Sequence, residues 1–320
     1  MIKISVVIPC FRVKNKIFGV LNLIDSSVTK IYVVDDDCPE NSGRFVSENC
    51  SDSRVSVIFH DKNQGVGGAV KSGYLAAIQD GMDVIVKVDG DGQMNPSLIP
   101  NFIDPIVSGE ADYTKGNRFY NLEEIGSMPK IRLFGNACLS LMTKLSSGYW
   151  QIFDPTNGFT AIHANVARQL PLSKISSRYF FETDMLFRLN TLRAVVVDVP
   201  MNAVYEDEVS NLKIHKILPE FIAKHCRNFM KRIFYNYFLR DMSLASIELL
   251  LGLFLILFGM VFGVANWVNA KITMTNTPVG TVVLVAIAII LGAQLLLGFL
   301  AYDINSMPSR CLHKIKRFNT

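Results

Sequence analysis

Two uncharged apolar runs set the outline of this chain. Leu249–Ala270 and Ile272–Tyr302 contain no Asp, Glu, Lys or Arg, and Lys271 alone separates them. Each run exceeds the ~20 residues a helix needs to cross a ~30 Å hydrocarbon core. The stretch Thr273–Pro278 is polar and ends in proline, which suits a tight turn. Two transmembrane helices are expected, at 247–268 and 279–301. The alternative is a buried hairpin of a soluble protein, but soluble core helices rarely stay uncharged over such a length.

The charge is divided along the chain. Residues 1–212 carry 20 Lys and Arg against 24 Asp and Glu, and residues 213–320 carry 12 against 4. The basic excess flanks the apolar runs: Lys213, Lys216, Lys224, Arg227, Lys231, Arg232 and Arg240 before them, Arg310, Lys314, Lys316 and Arg317 after them. The positive-inside rule then puts both termini in the cytoplasm, with the basic residues on anionic headgroups. Because the basicity tracks the membrane segments, membrane lipids are the expected partner and nucleic acid is not. The apolar run after Met1-Ile2-Lys3 ends at Pro9, too short for a signal peptide, so none is expected. Six cysteines show no CxxC or zinc-like spacing and are expected to be reduced packing residues.

The first 90 residues alternate between two patterns. Lys3–Pro9, Lys30–Asp35, Arg54–Phe59 and Asp83–Val88 are apolar, β-branched runs. Asn15–Ser27, Asn41–Asn49 and Gly65–Asp80 have helical spacing between them. This order predicts an α/β fold: a Rossmann-like, mostly parallel sheet with helices on both faces. Further on, strands are expected at Asp112–Lys115, Gly158–Ile162 and Arg193–Val199, and helices at Pro129–Ser146 and Phe180–Leu192. Ile214–Tyr237 sets apolar residues against basic ones, as interfacial amphipathic helices do. The two-helix transmembrane hairpin follows. The expected organisation is a cytoplasmic domain at 1–212, juxtamembrane helices at 213–245, the hairpin within 246–302 and a basic cytoplasmic tail at 303–320.

Ligands of open α/β sheets bind beyond the carboxyl ends of the strands. Three such ends carry Pro9-Cys10-Phe11, Asp35-Asp36-Asp37 and Asp89-Gly90-Asp91. Two carboxylates at i and i+2 can converge on one hard cation, Mg2+ or Mn2+, completed by substrate phosphates. A solvated acidic turn is the plain alternative, and the position after a fourth strand weighs against it. An acid of Asp35-Asp36-Asp37 can accept from a base or ribose, or can cap the helix at Asn41. Asn63-Gln64-Gly65-Val66-Gly67-Gly68-Ala69 follows the third strand and is not GxGxxG in register, so it reads as a tight turn into a closely packed helix.

The segments VVIPCF, YVVDDDCPENS, NQGVGGAVKSGYLAA, VIVKVDGDGQMNP, KGNRF and FDPTNGFTA, in this order over roughly 3–200, resemble the family 2 glycosyltransferases of GT-A fold. More narrowly they resemble the polyprenyl-phosphate and dolichyl-phosphate sugar synthases, bacterial members of which carry C-terminal transmembrane helices. The resemblance implies roles by position. Pro9, Phe11 and Asp36 would line the base and ribose site. Asp89 and Asp91, helped by Gln93, would hold the divalent metal on the diphosphate. Arg118 and Arg132 would bind phosphate groups, Asp154 would lie near sugar and acceptor, and Asp184 belongs to the second acidic motif with Glu182. The usual DDGS reads Asp36-Asp37-Cys38 here and the usual PxYN reads Pro9-Cys10-Phe11-Arg12, so the nucleotide, UDP- or GDP-linked, stays open.

The implied reaction is inverting transfer of one sugar from a nucleotide sugar to a polyprenyl phosphate at the cytoplasmic membrane. A lipid phosphate is largely ionised at pH 7 and needs little base. Transfer to a hydroxyl of a lipid-linked saccharide, in surface polysaccharide assembly, is the second reading, and would need Asp154, Glu182 or Asp184 as base. A processive synthase would carry QxxRW, which His225–Ile233 does not supply. A scaffold or binding module would leave the acidic strand ends idle. A homo-oligomer is compatible with all of this and is not specified by the sequence.

Overall fold

The computed structural model describes residues 2–120, 130–202 and 214–315. The side chains of residues 131, 132 and 214–217 lie outside this description. Contacts divide the chain into two compact units, Met1–Phe229 with Pro308–Thr320, and Met230–Met307.

In the first unit the strands are β1 (Ile4–Cys10), β2 (Lys30–Asp35), β3 (Val55–Phe59), β4 (Val84–Lys87), β5 (Tyr113–Asn117), β6 (Thr160–His163) and β7 (Val196–Pro200). They form one sheet in the order β3-β2-β1-β4-β6-β5-β7. All pairs are parallel except those of β6, which runs antiparallel to β4 and β5. Side chains alternate across the sheet: Val6 and Ile8 join one core with Ile31, Val33, Val84, Val86 and Phe102, while Val7 joins the other with Tyr32, Val34 and Ile85. Burial on both faces explains why these strands read as unbroken apolar runs.

The helices are α1 (Ile17–Asn22), α2 (Ser42–Asn49), α3 (Val66–Gln79), α4 (Ile99–Ser108), α5 (Lys130–Ser147), α6 (Ala164–Ala167), α7 (Phe181–Leu192) and α8 (Ile214–Phe234). The helix expected over Asn15–Ser27 is shorter, ending at Asn22; beyond it the Ser27 amide donates to Asp25 Oδ1 at 2.8 Å, in a turn that suits Asp and Ser. Helix α4 lies where no helix is expected from the sequence. It carries Pro100 in its first turn, where proline is tolerated, and Pro105 within. Its face of Ile99, Phe102, Ile103 and Ile106 is buried, and that burial outweighs the lost hydrogen bond. Glycines within α3 serve close packing: a Cβ on Gly67 would stand 2.6 Å from Phe181 Cδ2, and one on Gly73 2.3 Å from Val7 Cγ1.

The second unit holds a π-helical turn, Tyr235–Arg240, and two long helices, α9 (Leu244–Ile272) and α10 (Val279–Asn305). At 29 and 27 residues and mean hydropathies of 2.5 and 2.7, both are long and apolar enough to cross a membrane. Only 11 % and 17 % of their most apolar windows are buried, which separates them from soluble core helices. Small residues let them touch: a Cβ on Gly252 would lie 2.9 Å from Leu296 Cδ2, and one on Gly292 would lie 2.8 Å from Ile256 Cγ1. The carboxylate of Asp303, near the end of α10, receives Arg232 at 2.5 and 3.0 Å and Tyr237 Oη at 2.5 Å. All three are buried, so this cluster pins the π-helical turn to α10.

The stretch expected as a basic tail, 303–320, is described as far as Ile315. Helix α10 runs to Asn305, and Pro308–Ile315 belongs to the first unit. There the buried Asp112 carboxylate accepts the amides of Leu312 (2.9 Å), His313 (3.1 Å) and Val195 (2.9 Å), and lies 2.7 Å from His313 Nδ1. Lys314 Nζ adds a bond to Ser108 O at 2.6 Å. Because Asp112→Ala strands several buried donors, it is expected to destabilise the full-length protein by roughly 3 kcal/mol in thermal unfolding. A loss below about 1 kcal/mol would show that this docking contributes little.

Candidate active site

The parallel order β2-β1-β4 gathers three loops at the carboxyl edge of the sheet. Cys10 lies in register with Asp35, and Val7 with Lys87, so the chain beyond each strand emerges on one rim.

On the β1–β2 side the acids serve the backbone. Asp35 accepts the amides of Cys38 at 2.8 Å and Gly43 at 2.6 Å. Asp36 accepts those of Gln64 at 2.8 Å and Gly65 at 2.7 Å, and lies 2.7 Å from His60 Nδ1. Both are buried. Asp36 therefore braces the turn into α3, where Gly65 has φ +86°. Cys38 Sγ accepts the Arg12 amide at 3.0 Å and lies 3.2 Å from Ser42 Oγ. Arg12, Asp37 and Asn41 all have left-handed backbones, φ 57°, 54° and 53°. Such strain, about 1–3 kcal/mol per residue, clusters at ligand sites. Phe11 is exposed beside this rim with Arg12 over its ring, and Pro9 is half-buried in β1. Burial, with Asp35 and Cys38 nearby, pushes the Cys10 thiol up to about 12, so it stays protonated.

On the β4 side a buried lysine gathers two half-buried carboxylates. Lys87 is 1 % exposed, and its Nζ lies 3.0 Å from Asp89 Oδ1 and 3.1 Å from Glu182 Oε1 in the first turn of α7. Burial opposes its charge, but the two carboxylates outweigh it and hold the ammonium well above its ordinary pKa. Gly158, just before β6, closes over the pair: a Cβ there would stand 2.3 Å from Asp89 Oδ2 and 2.4 Å from Lys87 Nζ. Lys115, buried in β5, donates to Asn157 O, and burial pulls its pKa down to about 8 although Glu182 and Asp154 favour its charge. Asp91 is half-buried and accepts the Gln93 amide at 3.0 Å, which closes the turn and places Gln93 alongside. The donor chemistry suits a hard divalent cation: carboxylate oxygens at a partly open strand end, roofed by a residue with no side chain.

Arg118 and Asp154 face each other. Arg118 Nε and Nη2 meet the Asp154 oxygens at 2.7 and 3.0 Å, in a bidentate pair. Burial works against the Asp154 charge, but the Arg118 guanidinium outweighs it and holds the carboxyl below its usual range. Asp184 is not brought to the cluster. Its carboxylate accepts the Ser176 amide at 2.9 Å and Asn228 Nδ2 at 3.1 Å, tying α7 to α8. Two residues apart on a helix point ~200° apart, so Glu182 faces Lys87 and Asp184 faces away. The Arg132 side chain lies outside the described residues. Lys87, Lys115 and Gly158 were not singled out from the sequence. The signal for Lys87 was present, since a lysine within VIVKV is a charge placed where strands are buried.

Burial also raises the Asp198 carboxyl to about 6, against hydrogen bonds from the Phe153 amide and Asn117 Nδ2. A raised acid favours the native state below its folded pKa, and that contribution is lost as pH rises through about 6. Asp198→Asn is therefore expected to unfold ~1–3 kcal/mol less readily than wild type at pH 7.5, with the difference vanishing towards pH 4. Thermal unfolding across that range checks it; a variant destabilised at pH 7.5 contradicts it.

Comparison with known proteins places the chain. It is 28 % identical over 218 residues to the UDP-N-acetylglucosamine–dolichyl-phosphate N-acetylglucosaminyltransferase of Methanococcus voltae, covering 64 % of this chain and 86 % of that protein. It is 30 % identical over 186 residues to the undecaprenyl-phosphate mannosyltransferase of Micrococcus luteus, covering 58 % and 75 %. Among solved structures, glucosyl-3-phosphoglycerate synthase of Mycobacterium tuberculosis aligns over 72 % of this chain and 79 % of its own, with a TM-score of 0.54 at 17 % identity. That likeness concerns the fold, which is of GT-A type. The model for glycosyl transferase family 2 matches residues 5–170, and the chain belongs to that family of glycosyltransferases.

Proposed function

We propose that this glycosyltransferase moves a single sugar from a UDP- or GDP-linked donor to a polyprenyl phosphate at the cytoplasmic face of a membrane, with inversion at the anomeric carbon. One observation carries the choice of acceptor. The three carboxylates that a hydroxyl acceptor would need as base are all engaged: Asp154 by Arg118, Asp184 by Ser176 and Asn228, Glu182 by Lys87. A phosphate monoester acceptor needs none of them, since its second pKa of about 6 leaves it ionised at pH 7. Two relatives named for dolichyl phosphate and undecaprenyl phosphate support the same class.

The residues divide the work. Phe11 offers an exposed ring to a base, and Asp36 keeps the neighbouring turn in place. Mg2+ or Mn2+, held by Asp91 and Asp89 with Gln93 beside them, would neutralise the charge of the departing diphosphate. A structural neighbour was solved with Mn2+ and UDP-glucose, which supports a divalent metal. Arg118, oriented by Asp154, meets a phosphate as a fixed cation, and Arg132 is assigned the same part from the resemblance. Helices α9 and α10 would anchor the domain where the lipid head lies, with both termini cytoplasmic because the basic residues flank the pair on the terminal side, while the connecting end carries only Lys271, in the last turn of α9.

Full-length protein given labelled UDP- and GDP-sugars, undecaprenyl phosphate and Mg2+ or Mn2+ is expected to form an acid-labile lipid-linked monosaccharide. Transfer only to the hydroxyl of a lipid-linked saccharide would overturn the acceptor in favour of the second reading. Asp91→Ala is expected to lower kcat/KM by at least ~100-fold, and activity within about threefold of wild type would refute its part.

A further inference from the structure

Lysine is a costly residue for the end of an internal strand. Burying its charge is unfavourable unless partners are supplied, and here Asp89 and Glu182 supply them. The consequence for Asp89 is specific. Its Oδ1 lies 3.0 Å from the ammonium, and its Oδ2 is turned to the backbone of Gly158, where any Cβ would stand 2.3 Å away. Both oxygens thus have protein close at hand, although the side chain is still 27 % exposed. A cation arriving alone must compete with an ammonium for Asp89. A cation arriving on a diphosphate brings oxygen ligands of its own and asks less of the protein.

We propose that Lys87 is a positioning residue that holds Asp89 back from a divalent cation in the nucleotide-free protein, so that the cation enters together with the donor diphosphate. Glu182 is the counter-ion that lets the ammonium stay buried in that place. This inference rests on the metal-dependent donor site given above. It extends that reading to the order of binding: weak cation affinity alone, strong affinity once nucleotide is present. The pair Lys87 and Glu182 then sets how tightly the site couples the two ligands, rather than touching the reacting atoms.

The test separates position from net charge. Lys87→Met alone leaves half-buried Glu182 without its partner and threatens the fold. Lys87→Met combined with Glu182→Gln removes one positive and one negative charge, so the net charge of the site is unchanged. Mn2+ binding to full-length protein in detergent, without nucleotide, is measured by electron paramagnetic resonance, with a thermal melt of the same sample. The double variant is expected to bind Mn2+ at least about tenfold more tightly than wild type, and adding Asp91→Ala is expected to abolish the gain. Equal or weaker binding by the double variant overturns the proposal. Wild-type protein gives a second measurement that needs no variant: saturating UDP or GDP is expected to raise Mn2+ affinity at least tenfold, and indifference to both overturns the proposal. No sugar and no lipid acceptor is present in either measurement. Failure here therefore leaves sugar transfer standing, and failure of transfer leaves the metal result interpretable.

Discussion

An ammonium taken out of water must find opposite charge close by, or the fold bears several kcal/mol of uncompensated desolvation. Lys87 sits at the end of β4 under that constraint, and three separate elements meet it. The loop after β4 supplies Asp89, the first turn of α7 supplies Glu182, and the turn before β6 supplies Gly158, whose missing side chain makes room. The antiparallel strand β6 is what brings Gly158 over the end of β4. Much of the geometry around Asp89 and Asp91 follows from satisfying this one buried cation.

The neighbouring strand ends obey the same rule with amides in place of an ammonium. Asp35 and Asp36 each accept at least two backbone N–H groups and so hold Cys38, Gly43, Gln64 and Gly65 in place. They are internal acceptors that shape the rim, while half-buried Asp91 and exposed Phe11 face outward. Asp112 does the same at the other edge for Leu312, His313 and Val195. Acids of similar appearance in the sequence thus divide into those that fix loops and those that can meet a ligand. Arg118 and Asp154 combine both parts, since the carboxylate is buried and the guanidinium it orients is not.

The strands and the two long helices were legible because their signals are local: two-sided burial gives unbroken β-branched runs, and membrane-length helices give long uncharged ones. Helix α4 was not, because Pro100 and Pro105 argue locally against a helix that tertiary burial of Phe102 and Ile106 sustains. The direction of β6 and the return of Pro308–Ile315 to the first unit depend on contacts some 80 to 200 residues away along the chain, and no periodicity records them. At the site, Asp89 and Asp91 could be found from their place after a strand. The exchange of roles between Glu182 and Asp184 could not, since both stand in one acidic turn and only the helix azimuth separates them. The engagement of Asp154 by Arg118 is likewise a tertiary fact, and it bears on which acceptor the enzyme can use.

In the proposed donor site one hard cation would lie at the end of β4, between protein carboxylates and a donor diphosphate. The most direct measurement is the anomalous scattering of Mn2+ in crystals of the full-length protein grown with a non-transferable nucleotide sugar. The account predicts a single strong peak within ~2.0–2.6 Å of an Asp91 carboxylate oxygen, with diphosphate oxygens completing its shell. A peak instead among Asp112, Cys311 and His313, whose ligand atoms lie within 4.8 Å of one another, would contradict it, as would nucleotide bound away from the carboxyl edge of the sheet.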